Sequence, residues 1–221
     1  MTRSPDAPDE RRQAQLVQDL SRSVQRSMLD AVLQLGANAE RVPMTVPRAR
    51  VPSGPAWLAR HHPGDAQARG QMRALYERCL THYREIVCAV SAHAGYDDVG
   101  ALLAHFVAAN FGALHDIDIT PAMLDRLEQQ LGGILRQAPA WLRADLRERQ
   151  LYVEWLAIVG VLVRETSAQA VLEGPAAVAN VQRAARGYLL QLIGLDADRL
   201  RLDDNGLAFA DCEHPSPTVA A

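Results

Sequence analysis

The sequence predicts an all-α fold: a helical bundle of five or six helices, with an N-terminal amphipathic helical arm and a small C-terminal hairpin. Three observations carry that expectation. Alanine and leucine dominate, and aromatic residues make up only 5% of the chain, a balance that favours helix over sheet. Apolar residues recur at every third or fourth place through successive stretches, as the buried faces of helices require. Proline and glycine are concentrated in a few places, so they read as punctuation between those stretches. At 221 residues the chain can bury a substantial core without disulfides or metal.

Residues 1–36 form the arm. After a polar tail, Val17, Leu20, Val24, Met28 and Leu35 fall on one face of a helix from Glu10 to Leu35, and Arg, Gln, Ser and Asp fill the other. Residues 37–64 read as a Pro-rich strap or linker, because Pro43, Pro47, Pro52, Pro55 and Pro63 exclude a long helix there. Trp57 and Leu58 are placed to pin the strap to the body.

Residues 65–209 are the bundle. Asp65 caps a helix to about His93, with Met72, Leu75, Cys79, Tyr83, Ile86 and Val90 on its inner face. Gly95 stops it and Asp97 is the expected cap of the next helix, whose stripe is Leu103, Phe106, Val107, Asn110 and Leu114. Thr120-Pro121 is a strong helix start, a capping hydroxyl followed by proline in the first turn. Leu124, Leu127, Leu131, Ile134 and Leu135 follow at helical spacing until Pro139 breaks the run.

The central helix, Leu146 to Val171, carries two apolar stripes. Val153, Leu156, Ala157, Gly160 and Val163 make one; Leu151, Trp155, Ile158 and Leu162 make the other. A helix apolar on most sides is buried by its neighbours. Gly174-Pro175 separates it from the last helix, with Val178, Val181, Ala185, Tyr188, Leu189 and Leu192 inward and Gly194 at its end. Asp203-Asp204-Asn205-Gly206 between two short apolar runs suits a hairpin. Residues 210–221 read as a disordered tail.

Several chemistries are excluded. All 23 residues of the Lys and Arg count are arginine, so no P-loop lysine, Schiff-base lysine or lysine general base exists. Net charge is −3 with signs mixed along the chain, and no basic stripe points to nucleic acid. Cys79 and Cys88 lie on opposite faces of one expected helix, roughly 13 Å apart along its axis, and cannot bridge. The N-terminal residues have no apolar signal core, and the uncharged run Trp155 to Val163, closed by Glu154 and Arg164, is far too short for a membrane span. The expected compartment is the cytoplasm, or the periplasm or exterior if a leader has been removed.

The motifs that resemble active-site signatures read as structure. Asp116-Ile117-Asp118-Ile119-Thr120 fits the D-x-D-x-T pattern of phosphotransferases, but that motif needs a buried parallel strand before it; here a helix precedes and a proline follows. Cys79 and His82 share a helix, and Cys212 and His214 a tail, without a zinc-ligand framework. The acidic runs at Asp196 and Asp203 fail calcium-loop spacing. No catalytic residue, metal or cofactor is therefore expected.

Two polar residues on apolar stripes stand out. Asn110 must find a hydrogen-bond partner, since an unpaired buried amide costs about 1–3 kcal/mol. Glu154 needs an arginine or other donors, with Arg84, Arg149 and Arg164 as candidates.

The strings Ala74-Leu75-Tyr76-Glu77-Arg78-Cys79-Leu80, Phe106-Val107-Ala108-Ala109-Asn110, Arg149-Gln150-Leu151-Tyr152-Val153-Glu154, Gly187-Tyr188-Leu189 and Asn205-Gly206-Leu207 support a resemblance. Residues 57–209 resemble an uncharacterised family of bacterial proteins, a domain of unknown function. The resemblance implies a bacterial helical bundle and transfers no activity. The leading functional expectation is a non-enzymatic protein-interaction module that engages another protein or a second copy through the N-terminal helix, of the kind serving as an accessory or immunity protein of a secretion or toxin system. The alternative is a small-molecule or lipid binder with a cavity between the core helices near Asn110 and Glu154.

Overall fold

The computed structural model describes residues 12, 15–19, 22, 44–87, 95–194 and 196–210. Strand β1 (Thr45–Pro47) leads to helix α1 (Gly54–His61) and helix α2 (Ala66–His82), which runs into a π-helical turn, Tyr83–Val87. Strand β2 (Tyr96–Asp98) precedes α3 (Val99–His115), α4 (Pro121–Arg136), a short α5 (Pro139–Arg143), the long α6 (Leu146–Glu173) and α7 (Pro175–Ile193). A 3-10 turn, Ala197–Arg199, leads into β3 (Leu200–Asp203) and β4 (Gly206–Phe209). The fold is all-α in class, with two small antiparallel sheets, β1 with β2 and β3 with β4.

Helices α3 and α6 form the centre. α6 packs on α2, α3 and α7, while α3 packs on α4, α6 and α7. The expected stripe of α6, from Val153 to Val163, is buried throughout, and so is Ile158 of the second stripe. On α3, Leu103, Phe106, Val107, Asn110 and Leu114 are all buried. Each fully buried leucine or phenylalanine here contributes about 1.5–3 kcal/mol of burial free energy. Among the described residues α6 is the one helix long and apolar enough to cross a membrane by length and composition. In this fold its middle is covered by the neighbouring helices.

Side-chain caps define the helix starts. The Asp145 carboxylate accepts from the Glu148 N–H while the Glu148 side chain accepts from the Asp145 N–H, a reciprocal pair that fixes the first turn of α6. The Thr120 hydroxyl accepts from the Met123 N–H and donates to Asp204, so the helix start also holds the hairpin turn. Gln130 completes that docking, donating to the Leu207 carbonyl (2.7 Å) and accepting from its N–H (2.9 Å).

Several expectations are corrected. The cap of α3 is Asp98, which accepts from Gly100 and Ala101; Asp97 sits in β2 and is only 2% exposed. The strap contains a helix, α1, because Pro55 stands in its first turn, where no N–H is needed. It also contributes β1, so it is integrated into the body. Pro139 opens α5 for the same reason. Of the arm, Leu16 and Val17 are buried in the common apolar cluster, and Leu16 lines a groove with Ala140 and Ala144. Val17 is thus an intramolecular packing residue. Leu20, Val24, Met28 and Leu35 lie outside the described residues, as do Cys88, Cys212 and His214.

Candidate functional site: a buried charge network and a polar-rimmed cleft

Glu154 is 1% exposed, on the face of α6 that meets the strap. Its Oε2 accepts from the Ser53 N–H at 2.9 Å and the Gly54 N–H at 2.7 Å, the free donors at the start of α1. Gly54 permits this approach, since a Cβ there would stand 2.8 Å from the Cβ of Glu154. The guanidinium of Arg84 lies 3.8 Å from the other carboxylate oxygen. Of the three candidate arginines, Arg84 is therefore the partner. Arg149 instead donates to the Trp141 carbonyl and stacks on the Trp141 ring, and Arg164 lines the cleft described below.

The network continues outward. Arg84 donates to Asp97 Oδ2 at 2.8 Å, and Arg48 donates to Asp97 Oδ1 at 2.7 Å. Gln150 donates to the Pro47 carbonyl. Two carboxylates and two guanidiniums thus clamp the strap onto α6 and β2. Burial pushes the Glu154 carboxyl up; the Gly54 N–H, the Arg84 charge and the Ser53 N–H oppose the shift, while nearby Asp97 adds to it. Every member faces another part of the fold, so this is a fastening, and a buried one whose loss on one side would leave charges uncompensated.

Asn110 is fully buried and donates from Nδ2 to the Phe106 carbonyl one turn back, at 2.7 Å; its Oδ1 has no partner. The cleft described next is lined by neither Asn110 nor Glu154. Cys79 is a buried free thiol that burial pushes up, consistent with an apolar packing role. No group of three or more metal-ligating side chains occurs among the described residues.

A cleft of about 470 Å³ runs between α3, the loop after it and the second half of α6. Ala108, Ala109, Gly112 and Ala113 form one wall, Ile117, Ile119 and Leu124 the next, and Ser167 and Ala168 the third. Four ionisable groups line it as well: His105, Asp116, Asp118 and Arg164. Asp116 terminates α3 in a left-handed conformation, φ 53°, a geometry that aspartate tolerates better than most residues. That turn carries the chain back across the end of α3 and so creates the cleft wall. The D-x-D-x-T segment is therefore a helix end, a cleft wall and a helix cap in succession.

His105 sits at the inner end, 7% exposed, with its Nε2 lacking any hydrogen-bond partner. Its ring lies 5.3 Å from that of Tyr83 and rests against Gly160, where a Cβ would come within 2.9 Å of Cδ2. Burial, then the charge of Arg164 and then His82, depress its pKa to about 4, so the ring is neutral near pH 7. Arg164, Asp116 and Asp118 are exposed at the rim. No ion pair joins them, and no hydrogen bond joins His105 to either aspartate, among the described residues.

Sequence reasoning singled out none of these four as a site. Asp116 and Asp118 were visible only as a motif of different chemistry. His105 carried one signal, a titratable residue inside the apolar run of α3. Its meeting with Arg164 depends on helix packing that no local spacing reveals.

No curated protein matches this chain, and no solved structure does. A family model described as a family of unknown function, DUF6683, matches residues 6–210. That match spans nearly the whole chain, so with its helical bundle, clasped strap and polar-rimmed cleft the protein belongs to the DUF6683 family.

Proposed function

We propose that this protein is a non-enzymatic binding domain whose cleft between α3 and α6 receives a small molecule. The observation that carries the reading is the cleft itself: about 470 Å³, lined by small aliphatic side chains together with His105, Asp116, Asp118, Arg164 and Ser167. Small-molecule sites typically span roughly 300–1,000 Å³, and this cleft falls within that range. The experiment is a screen of a chemically diverse fragment set by thermal shift against the full chain and against Ala109→Phe, which fills the cleft from its half-buried wall. Fragments that stabilise the wild type and lose their effect on the filled variant support the reading. If none binds, or binding ignores the filling, it is wrong.

Adhesion to a companion protein through the N-terminal helix is the second reading. Leu142 and Leu146, 63% and 52% exposed, favour it: they present apolar surface at the α5–α6 corner where the arm residue Leu16 is seated. The burial of Val17 within the chain's own core weighs against it. An accessory or immunity role in a secretion or toxin system would be one form of such adhesion.

A further inference from the structure

We propose that the cleft selects a small zwitterion, with an aliphatic body on the alanine-rich wall, an ammonium group at Asp116 and Asp118, and a carboxylate at Arg164. The inference rests on the cleft being a ligand site and adds the chemistry of the ligand.

The charges arrive from different elements. Asp116 and Asp118 come from the loop after α3, and Arg164 comes from α6 across the opening. They do not neutralise one another, since no ion pair links them among the described residues. A wall of arginines alone would favour a phosphate, and a wall of carboxylates alone a simple cation. Opposite signs from different elements around one cleft favour a molecule that carries both, because each head then meets its counter-charge.

The space between suits a branched aliphatic body. Ala109, Ala113 and Ile119 lie there and offer no hydrogen bonds from their side chains. At the inner end stands His105, more than nine-tenths buried with an unpartnered Nε2. A neutral imidazole there can give or take a hydrogen bond without adding a charge that would favour one head over the other. Gly160 keeps that ring in place, since a side chain at 160 would collide with its Cδ2 edge.

The test is calorimetric titration of the full chain with four probes: L-leucine, leucyl-leucine, isoamylamine and 4-methylpentanoate. The first two are zwitterions of different length, and the last two keep only the ammonium or only the carboxylate. One zwitterion should bind roughly tenfold tighter than either half-ligand, the scale of one added ion pair. Arg164→Gln should reduce it to the affinity of the amine, and the double variant Asp116→Asn, Asp118→Asn to that of the acid. All three positions are exposed, and a circular-dichroism melt verifies that the variants fold. A half-ligand binding as tightly as both zwitterions would overturn the inference and leave the cleft a ligand site. Zwitterion binding indifferent to these substitutions would overturn it too. So would the failure of all four probes, and the fragment screen then separates wrong ligand chemistry from a cleft that binds nothing.

Discussion

Acidification should weaken this protein through His105, and the size of the effect follows from its surroundings. Its pKa falls from 6.5 in the unfolded chain to about 4 in the fold, through burial first, then Arg164 of α6 and His82 of α2. The ring of Tyr83 and the carboxylates of Asp116 and Asp118 complete the groups around it or its cleft. Because the folded pKa is the lower, the unfolded chain binds more protons between pH 6.5 and 4. Stability therefore rises with pH through that window and is lost as pH falls. Integrating one proton over those two values gives a loss of about 3 kcal/mol at pH 4 relative to neutral pH. Other groups titrate too, and Glu154, pushed up by burial, acts with the opposite sign because the fold holds its proton longer. The comparison must thus be with His105→Leu, similar in size and without a proton to bind. Urea unfolding followed by circular dichroism at half-unit steps from pH 7.5 to 4 should show the wild type losing about 3 kcal/mol more than the variant. Parallel curves for the two proteins would refute the reasoning, since they would mean the imidazole is as easily protonated in the fold as out of it.

Removing the Glu154 carboxylate should separate charge from packing. Glu154→Ala leaves the Ser53 and Gly54 N–H groups without their acceptor and Arg84 with Asp97 as its remaining carboxylate, and should cost about 3–5 kcal/mol in urea unfolding. Glu154→Gln retains one acceptor and should cost about 1–2 kcal/mol; equal and small losses would mean the network does not fasten the strap. For the arm, light scattering of the chain with and without residues 1–36 distinguishes its two roles. An unchanged mass with a lowered unfolding temperature fits packing on its own body, as Leu16 and Val17 indicate, whereas a dimer that becomes a monomer on deletion fits an interface.

The bundle was legible because its signals are local. The stripe from Val153 to Val163 states its own period, and Thr120-Pro121 or Gly174-Pro175 state where helices begin. The hairpin was legible for the same reason, through Asp203-Asp204-Asn205-Gly206. The strap was not. Five prolines masked the helix at Gly54–His61, and β1 is three residues long with a partner about fifty residues away. Glu154 and Asn110 were recognisable as polar intruders, but Arg84, Arg149 and Arg164 stood at equally plausible places until packing chose the first. The cleft escaped notice because alanines and glycines leave space only when two helices face each other, and because His105 meets Arg164 across α3 and α6, fifty-nine positions apart.

The fastening of the strap has a consequence for the order of assembly. Ser53 and Gly54 find their acceptor 101 and 100 residues later, and Pro47 finds Gln150 103 residues later. A growing chain that has made only its first hundred residues can pair β1 with β2 but lacks the α6 partners of Ser53, Gly54 and Pro47, and closing so long a loop is slow compared with forming neighbouring helices. The contacts that fasten the strap to α6 thus belong to the completed chain, since the Glu154 acceptor and the Gln150 donor are made only in its second half.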